Sequence, residues 1–149
     1  MAQVRAVAEK NVAASTKQAF RAISDYHGRV KWLPPAFSNY HVEEGGEGGG
    51  TVVTYHLSTG RRERDYRVRV TEPARGRELV ESDTLSSLVT RWAVSPQGSG
   101  STVRIETTWQ GAGGIGGFFE RTFAPRVLQK LYRDELSRLD TYLVAVGKW

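Results

Sequence analysis

The stretch Gly116 to Val146, GGFFERTFAPRVLQKLYRDELSRLDTYLVAV, is the one long helical pattern in the chain. At about 100° per residue, Ala124, Leu128, Leu131, Tyr132, Leu139, Tyr142, Leu143 and Val146 fall on one apolar stripe. Gln129, Lys130, Arg133, Ser137, Arg138 and Asp140 fall on the opposite side. Such a helix needs its stripe covered by something large. Nearly everything upstream reads as short strands, so the pattern predicts a sheet wrapped around this helix.

The upstream strands are read from period-two alternation and from turn residues. Residues 3–14 alternate with Val4, Ala6, Ala8 and Val12 in phase. Ser15 is a good N-cap for a short helix with Ala19, Phe20 and Ile23 on one face. A second short helix, from His27, is closed by Pro34-Pro35. Strands are then predicted at Phe37 to Glu43, Thr51 to Ser58, Arg64 to Thr71, Leu79 to Thr84, Leu88 to Val94 and Thr102 to Trp109. Glycines at 45–50 mark a hairpin rather than a nucleotide loop, because no Lys-Ser/Thr and no helix follow them. Glu72-Pro73 and Ser95-Pro-Gln-Gly-Ser-Gly100 read as breaks. Short turns between consecutive strands favour an antiparallel meander, with one face covered by the long helix.

The totals exclude several classes of function. A chain of 149 residues suits one domain, 1–149. No apolar run is long enough to span a membrane, and the N-terminus lacks an apolar signal core, so a cytoplasmic protein is expected. With no cysteine there is no disulfide, thiolate metal site or cysteine nucleophile. His27, His41 and His56 are scattered, so no metal site is expected, and the ligand-binding role read below needs no cofactor. The net charge is +5, and its densest cluster is Arg61, Arg62, Arg64, Arg67 and Arg69. That run reads as a solvated hairpin face or as a docking patch for an acidic protein; no nucleic-acid partner is expected.

Four segments together resemble one known family. They are Trp32-Leu-Pro after the short helix pair, the Gly-rich turn before Thr51, Ser95-Pro-Gln-Gly-Ser-Gly-Ser-Thr-Val before the last strand, and the helix from Arg126 to Leu139. They resemble the polyketide cyclase/dehydrase and lipid-transport family of the START-like, birch-pollen-allergen-like superfamily, over about Val12 to Leu143. The resemblance implies an α+β helix-grip fold: a seven-stranded antiparallel sheet curved around a long C-terminal helix, with two short helices between the first two strands. It also implies a cavity between sheet and helix. It carries over no universal catalytic motif, since the superfamily includes cyclases, receptors, quinone-binding proteins and lipid carriers.

Inward phase nominates the lining of such a cavity. Tyr66, Val68, Trp92, Val103, Ile105, Thr107 and Trp109 come from strands, with Thr90 as a further polar group and Tyr55 if it, rather than His56, faces inward. Leu128, Leu131 and Tyr132 come from the helix, and Trp32, Phe118, Phe119 and Phe123 are candidates for a mouth or lid. The bland alternative is that these aromatics simply fill the interior. Glu135 interrupts the apolar stripe within about 20° of its centre. A carboxylate there is costly unless paired or protonated. It is either a ligand anchor or general acid/base, or else it is exposed or paired with an arginine such as Arg64 or Arg91. The function expected is binding of a small hydrophobic or aromatic molecule such as a lipid, quinone or polyketide. The alternatives are a polyketide aromatase/cyclase using Glu135, and a protein-interaction role for the Arg61–Arg69 hairpin.

Overall fold

The computed structural model describes residues 3–110 and 123–147. In chain order the elements are β1 (Gln3–Val12), α1 (Thr16–Ser24), a 3₁₀ turn (Gly28–Lys31), β2 (Phe37–Glu44), β3 (Val52–Ser58), β4 (Glu63–Ala74), β5 (Glu78–Asp83), β6 (Val89–Gln97), β7 (Gly100–Gln110) and α2 (Pro125–Val146). The seven strands form one antiparallel sheet in the order β1-β7-β6-β5-β4-β3-β2. Six consecutive strands make a meander, and β1 joins it beside β7 with Ala6 opposite Thr107 and Ala8 opposite Ile105. This is the expected α+β helix-grip architecture.

Local chemistry accounts for most boundaries. Ser15 accepts from the Gln18 amide at 3.2 Å, while Gln18 Oε1 accepts from the Ser15 amide at 3.1 Å. This reciprocal capping box starts α1, whose buried face is Ala19, Phe20 and Ile23. In β4, Tyr66, Val68 and Val70 are buried and alternate with outward residues; Val103, Ile105, Thr107 and Trp109 do the same in β7. At the edge strand β2, the register slips between Ser38 and His41, where Asn39 takes φ 51°. Asn tolerates that conformation, and a bulge makes an edge a poor template for further pairing.

Three expectations are corrected. The helix does not run through Phe123 and Ala124: Ala124 is its extended N-cap and Pro125 opens it. A proline inside the helix would clash with the carbonyl four residues back, whereas at the first turn it costs nothing. Residues 116–122 of the expected helix lie outside the described residues. The stripe is also rotated. Leu128, Tyr132, Glu135, Leu136, Leu139 and Leu143 are buried, whereas Ala124 and Val146 are exposed. The reason is that α2 lies along β1 and touches α1. The inward residues Ala6 and Ala8 of β1 are small enough for close approach. Finally, Pro73 and Pro96 do not end their strands. A register shift between Thr71 and Ala74 absorbs the first, and β6 continues past the second to a turn at Gly98, φ 59°.

The Gly-rich turn between β2 and β3 packs onto the end of α1. Gly46 accepts from the Tyr26 amide at 2.9 Å, and the Gly48 amide donates to Ser24 at 2.9 Å. The Gly46 and Gly50 amides go to Thr51 Oγ1 and the Val70 carbonyl. These donors serve the fold and are not left for a phosphate.

Candidate functional site

Between α2 and the middle strands of the sheet lies an inner pocket that three buried polar groups and a row of rings define. Arg29 is carried inward by the 3₁₀ turn. Its Nε and Nη2 donate to the Ile23 carbonyl at 2.9 and 2.6 Å, near the C-terminal end of α1, where a cation is favoured. Nη2 also pairs with Glu81 Oε2 at 3.0 Å, both side chains being buried. Tyr26 donates to the same oxygen at 2.7 Å, and Tyr40 donates to the Tyr26 carbonyl at 2.8 Å. The guanidinium lies over Tyr26 at 4.1 Å and Trp92 at 4.8 Å. Burial opposes its charge, but Tyr26 and Glu81 more than compensate, so Arg29 stays protonated. Burial, reinforced by Glu81, pushes the Tyr26 hydroxyl well up, so it remains a donor.

Along the sheet, Tyr55 and Tyr66 stack at 5.3 Å, and Tyr55 also meets Phe37 at 5.3 Å and Tyr40 at 6.4 Å. Tyr55 therefore faces inward, and His56 faces out to Asp65 at 2.8 Å. A second buried pair, Arg64 to Asp83 at 2.6 Å, sits at the Tyr66 ring. A hydroxyl chain crosses from sheet to helix: Thr90 to Thr107 at 2.7 Å and Thr107 to Tyr132 at 2.6 Å.

Glu135 is 3% exposed and lines this pocket. Neither of the expected arginines reaches it: Arg64 is held by Asp83, and Arg91 pairs with Glu78 on the outer face. Among the described residues nothing donates a hydrogen bond to its carboxyl or pairs with it. Burial pushes its pKa up to about 8; the field of Arg29 works in the opposite direction, and Glu81 and Asp134 add to the rise. The indole Nε1 of Trp92, also buried, has no partner. The space left among these side chains is about 40 Å³. That is room for a few water molecules, against ~300–1,000 Å³ for an occupied small-molecule site. The expected hollow is thus largely filled, because the tyrosine row, Trp92 and the Arg29–Glu81 pair occupy it.

The expected lining divides as follows. Tyr55, Tyr66, Val68, Thr90, Trp92, Leu128, Tyr132 and Glu135 come together in the pocket. Thr107 lies just behind it, reaching it only through Thr90 and Tyr132. Trp32 is buried edge-on against Trp92 at 6.0 Å and lies beside a separate surface cleft. Trp109 is buried opposite Val4 of β1, away from the pocket. Phe123 borders a different, open recess of about 760 Å³ between the β3–β4 tip and the start of α2. Phe118 and Phe119 fall outside the described residues. Sequence reasoning missed Tyr26, Arg29, Tyr40 and Glu81. For Glu81 a signal existed: it shares the inward phase of β5 with Leu79, as does Asp83, and all three are buried. No periodicity points to Arg29, whose direction is set by the 3₁₀ turn. Among the described residues no cluster suits a metal ion, and no helix is long and apolar enough to cross a membrane.

Comparison with known proteins agrees with this architecture. A family model described as polyketide cyclase / dehydrase and lipid transport matches residues 3–144. The chain belongs to that family. No match was found among curated proteins. Of solved structures, the KanY protein is 43% identical, with a TM-score of 0.84 over 96% of this chain and 99% of that one. Ginseng major latex-like protein 151 from Panax ginseng is 10% identical (TM-score 0.72; 94% and 97% covered). A point mutant of norcoclaurine synthase from Thalictrum flavum, in complex with a transition-state analogue, is 15% identical (TM-score 0.71; 99% and 98% covered). At such identities the last two show the shared fold alone.

Proposed function

We propose that this protein binds a small, mainly apolar or aromatic molecule carrying polar groups, such as a lipid, quinone or polyketide, between the sheet and α2. The observation behind this reading is a pocket walled by rings and lined by Trp92 Nε1, a buried donor without a partner among the described residues, and by the buried carboxyl of Glu135. Buried polar atoms are nearly always satisfied, so a guest or ordered water is required to complete the lining. With about 40 Å³ free, a lipid, quinone or polyketide enters only as lining side chains move aside. Apolar burial, roughly 25 cal/mol per Å², would drive this, and the hydroxyls of Tyr66, Thr90 and Tyr132 would orient the guest.

A second reading, catalysis of the cyclase/dehydrase kind, is favoured by Glu135 specifically. With a pKa of about 8, it holds a proton near neutrality and can give or take one, as a general acid/base must. Native mass spectrometry of protein from its own host tests the shared claim by seeking a co-purifying small molecule. Absence of any adduct, with no thermal shift from a panel of lipids, quinones and polyphenols, would defeat both readings. Given a ligand, E135Q separates them: an acid/base loses turnover while binding persists.

A further inference from the structure

We propose that one end of the molecule, formed by the β3–β4 tip, the β5–β6 tip and the first turns of α2, docks on an anionic phospholipid surface. Antiparallel pairing puts both hairpin tips at the end of the sheet where β7 finishes. Hydrogen bonds bind them together: Gln110 donates to Ser87, Thr84 to the Arg67 carbonyl, and Arg64 and Ser86 both to Asp83. The recess beside Phe123 joins the β3–β4 tip to α2, with Ala36, Val127 and Leu131 as apolar lining and Arg61 and Lys130 among its charged residues.

Two features of this end match a bilayer surface. Leu85, at the β5–β6 tip, is 66% exposed, and Val127 is 39% exposed, so the end offers apolar points to an acyl boundary. The same end carries the exposed cations Arg61, Arg126 and Lys130. Among the described residues, Asp83 is held by Arg64 and Asp134 by Arg138, while the exposed Glu63 and Asp65 lie beside His56. The first turn of α2 has no acidic residue. The opposite end of the sheet mixes charges, with exposed Glu44 and Glu47 at the Gly-rich turn and exposed Arg75 and Arg77 at the β4–β5 tip. This asymmetry orients the molecule, basic end down, on a negative surface. Exposed apolar points sharing one end with cations suit phospholipid better than an acidic protein or RNA, which would use the charge and leave Leu85 in water.

Vesicle co-sedimentation of the full chain tests this. Binding is expected to vesicles of phosphatidylcholine mixed with phosphatidylglycerol, to weaken with salt, and to be absent for phosphatidylcholine alone. R61E/K130E should lose at least about tenfold in affinity, since each basic residue near the surface contributes appreciably. R75E/R77E, with the same charge change at the far end, should bind nearly as well as the unaltered chain. L85S should weaken binding severalfold without changing its salt dependence. Equal loss in the two double variants, no effect of L85S, or retention on a polyanion column without vesicle binding would overturn the proposal. The positions are exposed, and circular dichroism checks that each variant is folded.

Discussion

Glu135 carries a pH dependence with a definite sign. Its pKa is raised from 4.5 to about 8 in the folded chain, so between these values the folded state holds a proton that the unfolded state has released. Its contribution is therefore fully present below about pH 4.5 and is lost as pH rises to about 8, by an amount on the order of a few kcal/mol. Urea unfolding at acid and mildly alkaline pH should show E135Q with a flatter stability profile than the unaltered chain; parallel profiles would mean that Glu135 is solvated. The Arg29–Glu81 pair behaves differently. Replacing Glu81 alone by Leu leaves a buried guanidinium without its counter-ion and should cost about 3–5 kcal/mol. R29M/E81L removes both charges and should recover much of that loss, an interaction a double-mutant cycle measures.

At the scale of elements, much was legible. Period-two alternation located the strands, and the Ser15 cap marked the start of α1, because both signals are written in neighbouring residues. Glu81 was legible but passed over: an acid in phase with Leu79 belongs to the inner face of β5 whatever its charge. Arg29 was not legible, since a 3₁₀ turn has no long periodicity from which to read direction. The Gly-rich turn shows a finer dependence. Gly46 takes φ 145°, and a Cβ there would come 2.6 Å from the His27 ring. Gly46→Ala should therefore destabilise by about 1–3 kcal/mol, measured by thermal or urea unfolding, through strain and a displaced contact between the turn and His27. Gly50→Ala, strained but with open space around it, should cost less.

For the whole molecule, the helix packs closely on β1 and leaves the middle strands to face a pocket. A guest that opens this pocket binds only the folded state, so it should raise thermal stability by roughly 2.7 kcal/mol at a hundredfold excess over its Kd. Because Trp92 lines the pocket with its indole nitrogen free, the same guest should change tryptophan fluorescence, and Trp92→Phe should remove most of that signal. A thermal shift unaccompanied by any Trp92-dependent change would move the guest elsewhere, with the open recess at the α2 start the next place to look.

By itself the sequence determined the element order, the antiparallel meander and the covering helix, along with most inward-facing residues. These follow from repeats of two and about 3.6 residues, which are properties of a few neighbouring positions. Only the tertiary structure decided which charges meet. Tyr26 and Glu81, 55 positions apart, share one hydrogen bond; Arg64 went to Asp83; and Glu135 came to line the pocket with neither expected arginine. It also decided that the hollow is nearly full. A cavity is a small difference between the volume that the backbone encloses and the volume that its side chains fill, and no local pattern encodes that difference.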